Sequence, residues 1–172
     1  MGFKEILNLS NLTKANFKQN RRLKYEIEIP IHCNKEQVIG LYTNPDLLSK
    51  WQTDLTYYQT VNGEAGQSNA QAIMYQKYRN KQVIIQETVL QRKGSEDIHL
   101  RYENSSVELT ERHYFKVLTN NQTLWTVQYK FRFKPFGLRL FSWYFKPYFR
   151  EQHLALMHSF RQFAETYGRA EN

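Results

Sequence analysis

Hydrophobic and polar residues alternate along the segment that follows residue 22, and this pattern predicts a β-strand. One face of the segment carries Tyr25, Ile27, Ile29 and Ile31, and the other carries Lys24, Glu26 and Glu28. Successive side chains of a strand point to opposite sides, so this alternation is typical of a strand with one buried face. The pattern predicts that this strand begins near Leu23.

Two short helices are predicted directly after this strand, because each has a capping residue in the right place. Asn34 is a favoured helix N-cap, and Gln37, three residues later, can complete a capping box. Asn44 precedes Pro45, and proline is well tolerated at the first position of a helix. The second of these helices is expected to run towards Trp51.

Six further strands are predicted between residues 55 and 133, separated by turn signals. The segments are 55–61, 70–78, 82–91, 97–102, 107–118 and 123–133. The connections are short, which is typical of antiparallel hairpins rather than of parallel crossovers. The last segment has the clearest alternation, and its apolar face consists of Trp125, Val127, Tyr129, Phe131 and Phe133.

Beyond residue 135 the period of the pattern changes from two to 3.6, which predicts a long C-terminal helix. Its inner stripe is predicted to consist of Leu138, Phe141, Phe145, Phe149, Gln152, Leu156, Phe160, Phe163 and Tyr167. Pro147 falls inside this run, so the helix is expected either to kink there or to restart there. Gly168 is expected to end it.

Several short motifs accompany this order of one strand, two short helices, six strands and one long helix. They are Ile29-Pro30-Ile31, Asn34-Lys35-Glu36-Gln37-Val38, Asn44-Pro45-Asp46, Trp51, Gly63 and Gly66. Order and motifs together resemble the START-like superfamily of helix-grip proteins over residues 23–168. The resemblance implies an α+β fold in which a seven-stranded curved antiparallel sheet wraps around the C-terminal helix. Residues 1–22 are then an N-terminal extension and residues 169–172 a C-terminal tail.

The same resemblance implies an internal cavity between the sheet and the C-terminal helix. The superfamily includes polyketide cyclases, lipid-transfer START domains and birch-pollen-allergen-like proteins, which bind lipids, sterols, polyketides or other hydrophobic molecules there. The two short helices and the loops between strands surround the mouth of such a cavity, which makes Trp51 a candidate ligand contact. No catalytic set carries over from the enzymatic members.

Further candidate cavity residues lie on the inner face of the last strand and on the helix that packs against it. They are Trp125 and Tyr129 on the strand, and Phe145, Phe149, Gln152, His153 and Leu156 on the helix. Plain core packing explains these residues equally well, since a ligand cavity is itself mostly apolar.

Polar residues also interrupt two otherwise apolar strand faces. Glu87 interrupts the row 83–89, and Glu111 and His113 interrupt the row 107–117. A buried carboxylate is costly unless it is paired, hydrated or used on a ligand. We therefore predict that Glu87 and His113 make polar contacts inside the cavity. The alternative is that a β-bulge turns one or both of them to solvent.

The net charge of +8 is unevenly distributed along the chain. Residues 1–22 hold five basic residues against Glu5, and residues 130–150 hold six basic residues and no acid. Because residues 130–150 also hold nine aromatic residues, this segment is a candidate for peripheral contact with an anionic membrane. A solvated face is the simpler interpretation. Nucleic acid is not the expected partner, since many of these aromatic residues point inward in a helix grip.

The composition of the chain also indicates which kinds of site and which location to expect. Cys33 is the only cysteine, and the five histidines lack the spacing of a metal site, so the sequence predicts no internal disulfide, no metal and no cofactor. The absence of a recognisable secretory signal or membrane span predicts a cytoplasmic location.

The leading hypothesis is a binding protein that encloses a small hydrophobic molecule or lipid without covalent chemistry. The alternative is an enzyme resembling polyketide cyclases or dehydratases, in which Glu87 or His113 acts as acid or base. A third is a partner-binding module that uses the basic surface. A raised pKa of a cavity carboxyl would favour the enzyme, and a purely apolar cavity would favour simple binding.

Overall fold

A computed structural model describes residues 23–78, 81–94, 96–140 and 142–170. The predicted N-terminal extension and the last two residues of the predicted C-terminal tail lie outside these ranges. Within them, no helix combines the length and the apolar character that crossing a membrane requires.

The alternating segments form seven strands, as the pattern predicted. They are β1 (Lys24–Ile31), β2 (Leu55–Asn62), β3 (Gln71–Tyr78), β4 (Lys81–Lys93), β5 (Asp97–Glu103), β6 (Val107–Thr119) and β7 (Gln122–Phe133). The strands form one antiparallel sheet in the order β1-β7-β6-β5-β4-β3-β2. Hairpins connect the consecutive strands from β2 to β7. By contrast, β1 pairs with β7, which lies far along the chain. The predicted helix-grip fold is confirmed.

Two short helices follow β1 and cover one end of the sheet. Helix α1 (Lys35–Thr43) begins at Asn34, whose side-chain oxygen accepts a hydrogen bond from the backbone N–H of Gln37. A 3-10 turn (Pro45–Leu47) continues into α2 (Leu48–Trp51), and Asn44 caps the turn through the N–H of Asp46. Both predicted N-caps are confirmed.

The C-terminal helical region is divided into three parts, and Pro147 belongs to the start of the last one. Helix α3 (Phe136–Leu140) is followed by a 3-10 turn (Ser142–Phe145) and by α4 (Lys146–Ala170). Proline is tolerated there because the first turn of a helix needs no acceptor for its N–H groups. The helix therefore restarts at Lys146, directly before Pro147. Gly168 does not end it, since this glycine adopts the helical conformation and α4 continues to Ala170.

The buried stripe of α4 is shifted by one residue from the predicted stripe in the middle of the helix. Met157, Phe160 and Ala164 are at most 1% exposed, whereas Leu156 is 36% exposed. Leu156 and Met157 are both apolar, and adjacent helical residues lie roughly a quarter turn apart. The prediction that Leu156, and Gln152 one turn before it, face the sheet is wrong, because Met157 takes the inward position.

Irregularities in the sheet lie beside the predicted polar residues without turning them to solvent. The register of β4 with β5 shifts between Val89 and Gln91, beyond Glu87. The register of β6 with β7 shifts between Val117 and Thr119, beyond His113. Residues 116–121 are exposed, so Val117 does not belong to the inner face as predicted.

Candidate functional site

A small cavity lies between the short helices and the middle of the sheet. Its volume is about 50 Å³, and Trp51, Tyr58, Glu87 and Tyr102 are among its lining residues. Apolar side chains of α2, β4 and β5 complete much of the wall: Leu48, Val89, Ile98 and Leu100. The wall is therefore mainly apolar, with a few polar groups at defined positions.

Glu87 is the buried acid of this cavity. It lies on β4 opposite Tyr102 of β5, and its side chain is 8% exposed. The hydroxyl of Tyr58 donates to Glu87 Oε1 at 2.9 Å, and Tyr102 makes a second side-chain hydrogen bond to this carboxyl. Both polar partners come from neighbouring positions in the cavity wall, so the acid is held in one orientation.

Burial raises the pKa of the Glu87 carboxyl above its ordinary value. The hydrogen bonds from Tyr58 and Tyr102 lower this pKa, since they stabilise the ionised form. The negative charge of nearby Glu111 raises it further. Desolvation is the largest of these effects. A raised pKa lets this carboxyl keep its proton to a higher pH than an exposed glutamate, and makes its ionised form a stronger base.

His113 occupies the centre of a second polar cluster, next to the cavity. It is 2% exposed, and Trp125 Nε1 donates to its Nδ1 at 3.2 Å. An indole N–H can only donate, so Nδ1 must accept and the ring proton lies on Nε2. This Nε2 is 3.1 Å from Glu111 Oε2 and 3.1 Å from Tyr42 Oη. The hydrogen bonds therefore fix one tautomer of His113.

Trp51 carries the one fully buried polar side-chain atom of the cavity wall that lacks a partner within the described residues. The residue is 3% exposed, and its indole Nε1 has no hydrogen-bond acceptor there. Its ring packs against Phe160 at a centroid distance of 5.0 Å and against Tyr42 at 5.7 Å. Leaving a buried N–H without an acceptor is unfavourable by about 1–3 kcal/mol.

The predicted site residues fall into three groups. Trp51 and Glu87 line the cavity. His113, Trp125 and Tyr129 are buried on the sheet, and the Trp125 ring packs on Phe160 at 5.1 Å. This aromatic packing fills much of the space in which the sequence predicted a ligand.

The remaining predicted residues lie along the C-terminal helical region. Phe149 is half-buried and packs on Phe131 at 4.9 Å, with Phe145 beside it at 6.5 Å. His153 is stacked on Tyr129, with ring centroids 4.1 Å apart. Leu156 lies on the outer side of α4. None of these four helical residues is among those that line the cavity.

Sequence reasoning did not identify Tyr42, Tyr58 and Tyr102 as polar partners. For Tyr102 strand counting alone is misleading: the pairing that starts at Lys93 and Asp97 would place Glu103 opposite Glu87, and the register shift between Val89 and Gln91 places Tyr102 there instead. For Tyr58 no local signal existed, because β3 separates β2 from β4. The residue of β3 opposite Glu87 is the small Ala72.

No protein-family model and no curated protein matches this sequence. Solved structures do match it in fold. A START superfamily protein from Mycobacterium smegmatis is 11% identical with a TM-score of 0.69, over 84% of this chain and 98% of that one. The ZhuI aromatase/cyclase from Streptomyces sp. R1128 is 8% identical with a TM-score of 0.67, over 84% and 94% of the two chains.

Norcoclaurine synthase from Thalictrum flavum, in a structure with dopamine and hydroxybenzaldehyde, is a third match. It is 9% identical with a TM-score of 0.61, over 84% of this chain and 90% of that one. At such low identities these likenesses show a START-like fold. The chemistry of the cavity has to be argued from the residues of this chain.

Proposed function

We propose that this START-like helix-grip protein binds a small, mainly apolar molecule that carries a hydrogen-bond acceptor, in the cavity between Trp51 and Glu87. The observation that carries the proposal is the buried indole N–H of Trp51, which has no acceptor among the described residues and belongs to the cavity wall. An acceptor on a ligand would satisfy it. The apolar wall would hold the rest of the molecule.

The size of the cavity favours a ligand much smaller than a lipid. Its volume of about 50 Å³ leaves room for about three to five water-sized positions. A long acyl chain or a sterol would require the packed rings of Trp125 and Phe160 to move apart. A ligand of about one ring needs a smaller adjustment, and the ligands named for norcoclaurine synthase, dopamine and hydroxybenzaldehyde, are of that size.

A titration with 4-hydroxybenzaldehyde and with oleic acid, followed by calorimetry, tests this proposal. The single-ring probe supplies a carbonyl acceptor, and we expect it to bind more tightly than the long-chain probe. In Trp51→Phe an aromatic ring remains but the indole N–H is lost, so the affinity of the variant for the aldehyde should fall by about three- to tenfold. Trp143→Phe is the matched control, because Trp143 is 68% exposed and lies outside the cavity.

Two results would contradict the proposal. One is the absence of saturable binding of the aldehyde to the wild-type protein. The other is an equal affinity of the Trp51→Phe and Trp143→Phe variants. Native mass spectrometry of freshly purified protein is an independent measurement, since a retained small molecule would appear as an added mass that denaturation removes.

The second candidate function, an enzyme of the cyclase or dehydratase type, is favoured by the raised pKa of the Glu87 carboxyl in the cavity wall. In its ionised form this carboxyl can take a proton from a carbon next to a carbonyl, exchange that proton with solvent and return a deuteron to the same carbon. If this occurs, the protein should accelerate exchange of the methyl hydrogens of acetophenone in D₂O. Glu87→Gln should remove the acceleration, and Glu64→Gln, at an exposed turn position, should keep it. Equal exchange with all three proteins would exclude this role for Glu87.

A further inference from the structure

A group of exposed aromatic and basic side chains lies where the chain leaves β7 and enters α4, and none of them lines the cavity. We call it the aromatic–basic patch, and it consists of Phe136, Arg139, Trp143, Tyr144, Lys146, Tyr148 and Arg150. Phe136, Trp143 and Tyr144 are 67%, 68% and 70% exposed. Exposure of several large rings in one short segment is unusual for a protein surface and marks a binding surface.

The patch is held in place by packing underneath it. Phe149 anchors the start of α4 on Phe131 and Phe133, at centroid distances of 4.9 and 5.9 Å. Ser142 is 2% exposed and donates to the carbonyl oxygen of Arg139, which fixes the 3-10 turn. The exposed rings therefore project from an ordered support.

The basic side chains of the patch are available for an anion. In the described ranges, Arg139, Lys146 and Arg150 have no carboxylate within ion-pair distance, whereas Lys134, just before the patch, is 2.7 Å from Glu103. No acidic residue occurs between positions 130 and 150, and Glu151 is the next one. The patch thus combines positive charge with exposed aromatic rings.

We propose that the aromatic–basic patch docks this protein on a membrane surface that contains anionic lipids. Trp and Tyr side chains favour the boundary between headgroups and hydrocarbon, because one end of the ring is apolar and the other carries a hydrogen-bonding group. Arg and Lys beside them are attracted to anionic headgroups, by a factor of about fivefold in affinity for each residue near the surface.

Charge argues against two other occupants of the patch. The N-terminal segment, residues 1–22, has five basic residues and one acid, so it carries the same sign of charge as the patch. A second copy that packed its own patch against this one would also bring like charges together. An anionic lipid surface attracts the patch and the N-terminal segment alike.

The geometry of the rings also distinguishes a membrane from nucleic acid. Trp143 and Tyr144 meet at 89°, and Tyr144 and Phe145 meet at 83°. Bases stack on the faces of successive aromatic rings, whereas perpendicular neighbours do not present a row of parallel faces. Insertion of single rings among lipid headgroups has no such requirement.

Flotation of the full-length protein with vesicles tests the proposal. We expect the protein to float at low salt with vesicles of phosphatidylcholine mixed with phosphatidylglycerol, and to remain at the bottom with pure phosphatidylcholine. The double variant Trp143→Ser/Tyr144→Ser should lose about tenfold or more in affinity. Arg139→Gln and Lys146→Gln should each lose about fivefold, and high salt should weaken binding further.

Matched controls come from the far end of β7. Val117 and Leu118 are 50% and 45% exposed in the hairpin that precedes this strand, whereas the patch follows the strand. The variants Val117→Ser/Leu118→Ser and Lys116→Gln should therefore float like the wild-type protein. Circular dichroism of every variant shows whether its fold is retained.

Tryptophan fluorescence supplies a readout that a merely structural role would not change. Of the three tryptophans, Trp51 and Trp125 are 3% and 2% exposed and Trp143 is 68% exposed. Mixed vesicles should shift the emission to shorter wavelength through Trp143, and Trp143→Phe should abolish this shift.

Four results would overturn the proposal. The wild-type protein fails to float with the mixed vesicles, or the patch variants and the control variants float equally. The wild-type protein is a dimer that Trp143→Ser/Tyr144→Ser converts to a monomer without lipid, which makes a second copy the occupant. Single-stranded DNA binds the patch more tightly than the vesicles do, which makes nucleic acid the partner.

Discussion

The His153 ring lies between two tyrosines on the inner side of α4, and its protonation is opposed by the surrounding protein. Tyr25 Oη is 3.0 Å from His153 Nδ1, and Tyr129 stacks on the ring. Burial lowers the pKa of His153 below its ordinary value, with a smaller opposing effect from Glu111 and a reinforcing one from His113. The folded protein therefore favours the neutral ring.

This environment predicts a loss of stability in mild acid. A depressed pKa contributes stability that is complete above the unfolded-state value, near 6.5, and is lost as pH falls through the folded-state value. Between these two pH values the free energy of unfolding should decrease by up to about 1.4 kcal/mol per pH unit. In His153→Gln this decrease should be absent.

Urea denaturation at a series of pH values below 7 measures the difference. His158→Gln is the control, because His158 is exposed on the outer side of the same helix and should leave the wild-type slope unchanged. Glu87 acts in the opposite direction: its raised pKa contributes stability at low pH that is lost as pH rises through the folded-state value. Identical slopes in the wild-type protein and His153→Gln would show that His153 is not the titrating group.

At the scale of single elements, α1 shows how one side chain fixes the start of a helix. The first N–H groups of a helix have no acceptor within the helix. Asn34 Oδ1 accepts one of them, from Gln37, at 2.8 Å. This helix supplies Tyr42 to the polar cluster around His113, so its position matters for the buried site.

Replacing this cap predicts a modest and local cost. Asn34→Ala should lower the free energy of unfolding by about 1 kcal/mol, since the N–H of Gln37 loses its acceptor. Asn120→Ala, in the exposed turn between β6 and β7, serves as the control and should change it little. Chemical denaturation of both variants decides the matter, and equal stabilities would contradict the role of Asn34 as a stabilising cap.

Across the whole molecule, Cys33 joins three elements that are distant in sequence. It follows β1 and is 3% exposed, its Sγ donates to the carbonyl oxygen of Ala164 on α4 at 3.3 Å, and its own carbonyl oxygen accepts from Thr123 Oγ1 on β7 at 2.9 Å. A reagent reaches this sulfur only when α4 separates from the sheet.

Thiol labelling of Cys33 therefore reports on the separation of α4 from the sheet. With the reagent 5,5′-dithiobis(2-nitrobenzoic acid), Cys33 in the native protein should react about a thousandfold or more slowly than in urea. In Thr53→Cys, which adds a thiol at an exposed position, one equivalent should react at once and one slowly. Rapid reaction of the wild-type protein would show that the end of α4 detaches without global unfolding.

The sequence predicts the strands and caps of this fold because those signals are local. Alternation of the row from Trp125 to Phe133 appears directly in the burial of β7. The rotation of α4 is different: Leu156 and Met157 are adjacent and both apolar, so apolar spacing alone does not decide which one faces the sheet. Packing against β1 decides it, and packing is not visible in the spacing.

The candidate site was predictable only in part. Glu87 stood out because a carboxylate in an apolar strand row needs a partner. The size of the cavity was not predictable, since it depends on how closely Trp125, Tyr42 and Phe160 pack, with Trp125 and Phe160 at 5.1 Å and Tyr42 and Phe160 at 5.5 Å. The unpartnered N–H of Trp51 likewise depends on which side chains end up beside it.

The pairing of β1 with β7 also affects the order in which the protein can fold during its synthesis. Glu26 and Gln128, which are hydrogen-bonded across this pair, are 102 residues apart. The ribosome therefore releases the isoleucine-rich β1 well before its partner strand and the helix that covers it. The hairpins from β2 onward can form while β1 is still unpaired. Until that partner emerges, the nascent chain exposes an unpaired strand with one apolar face, which makes this strand a natural substrate for chaperones that bind extended segments.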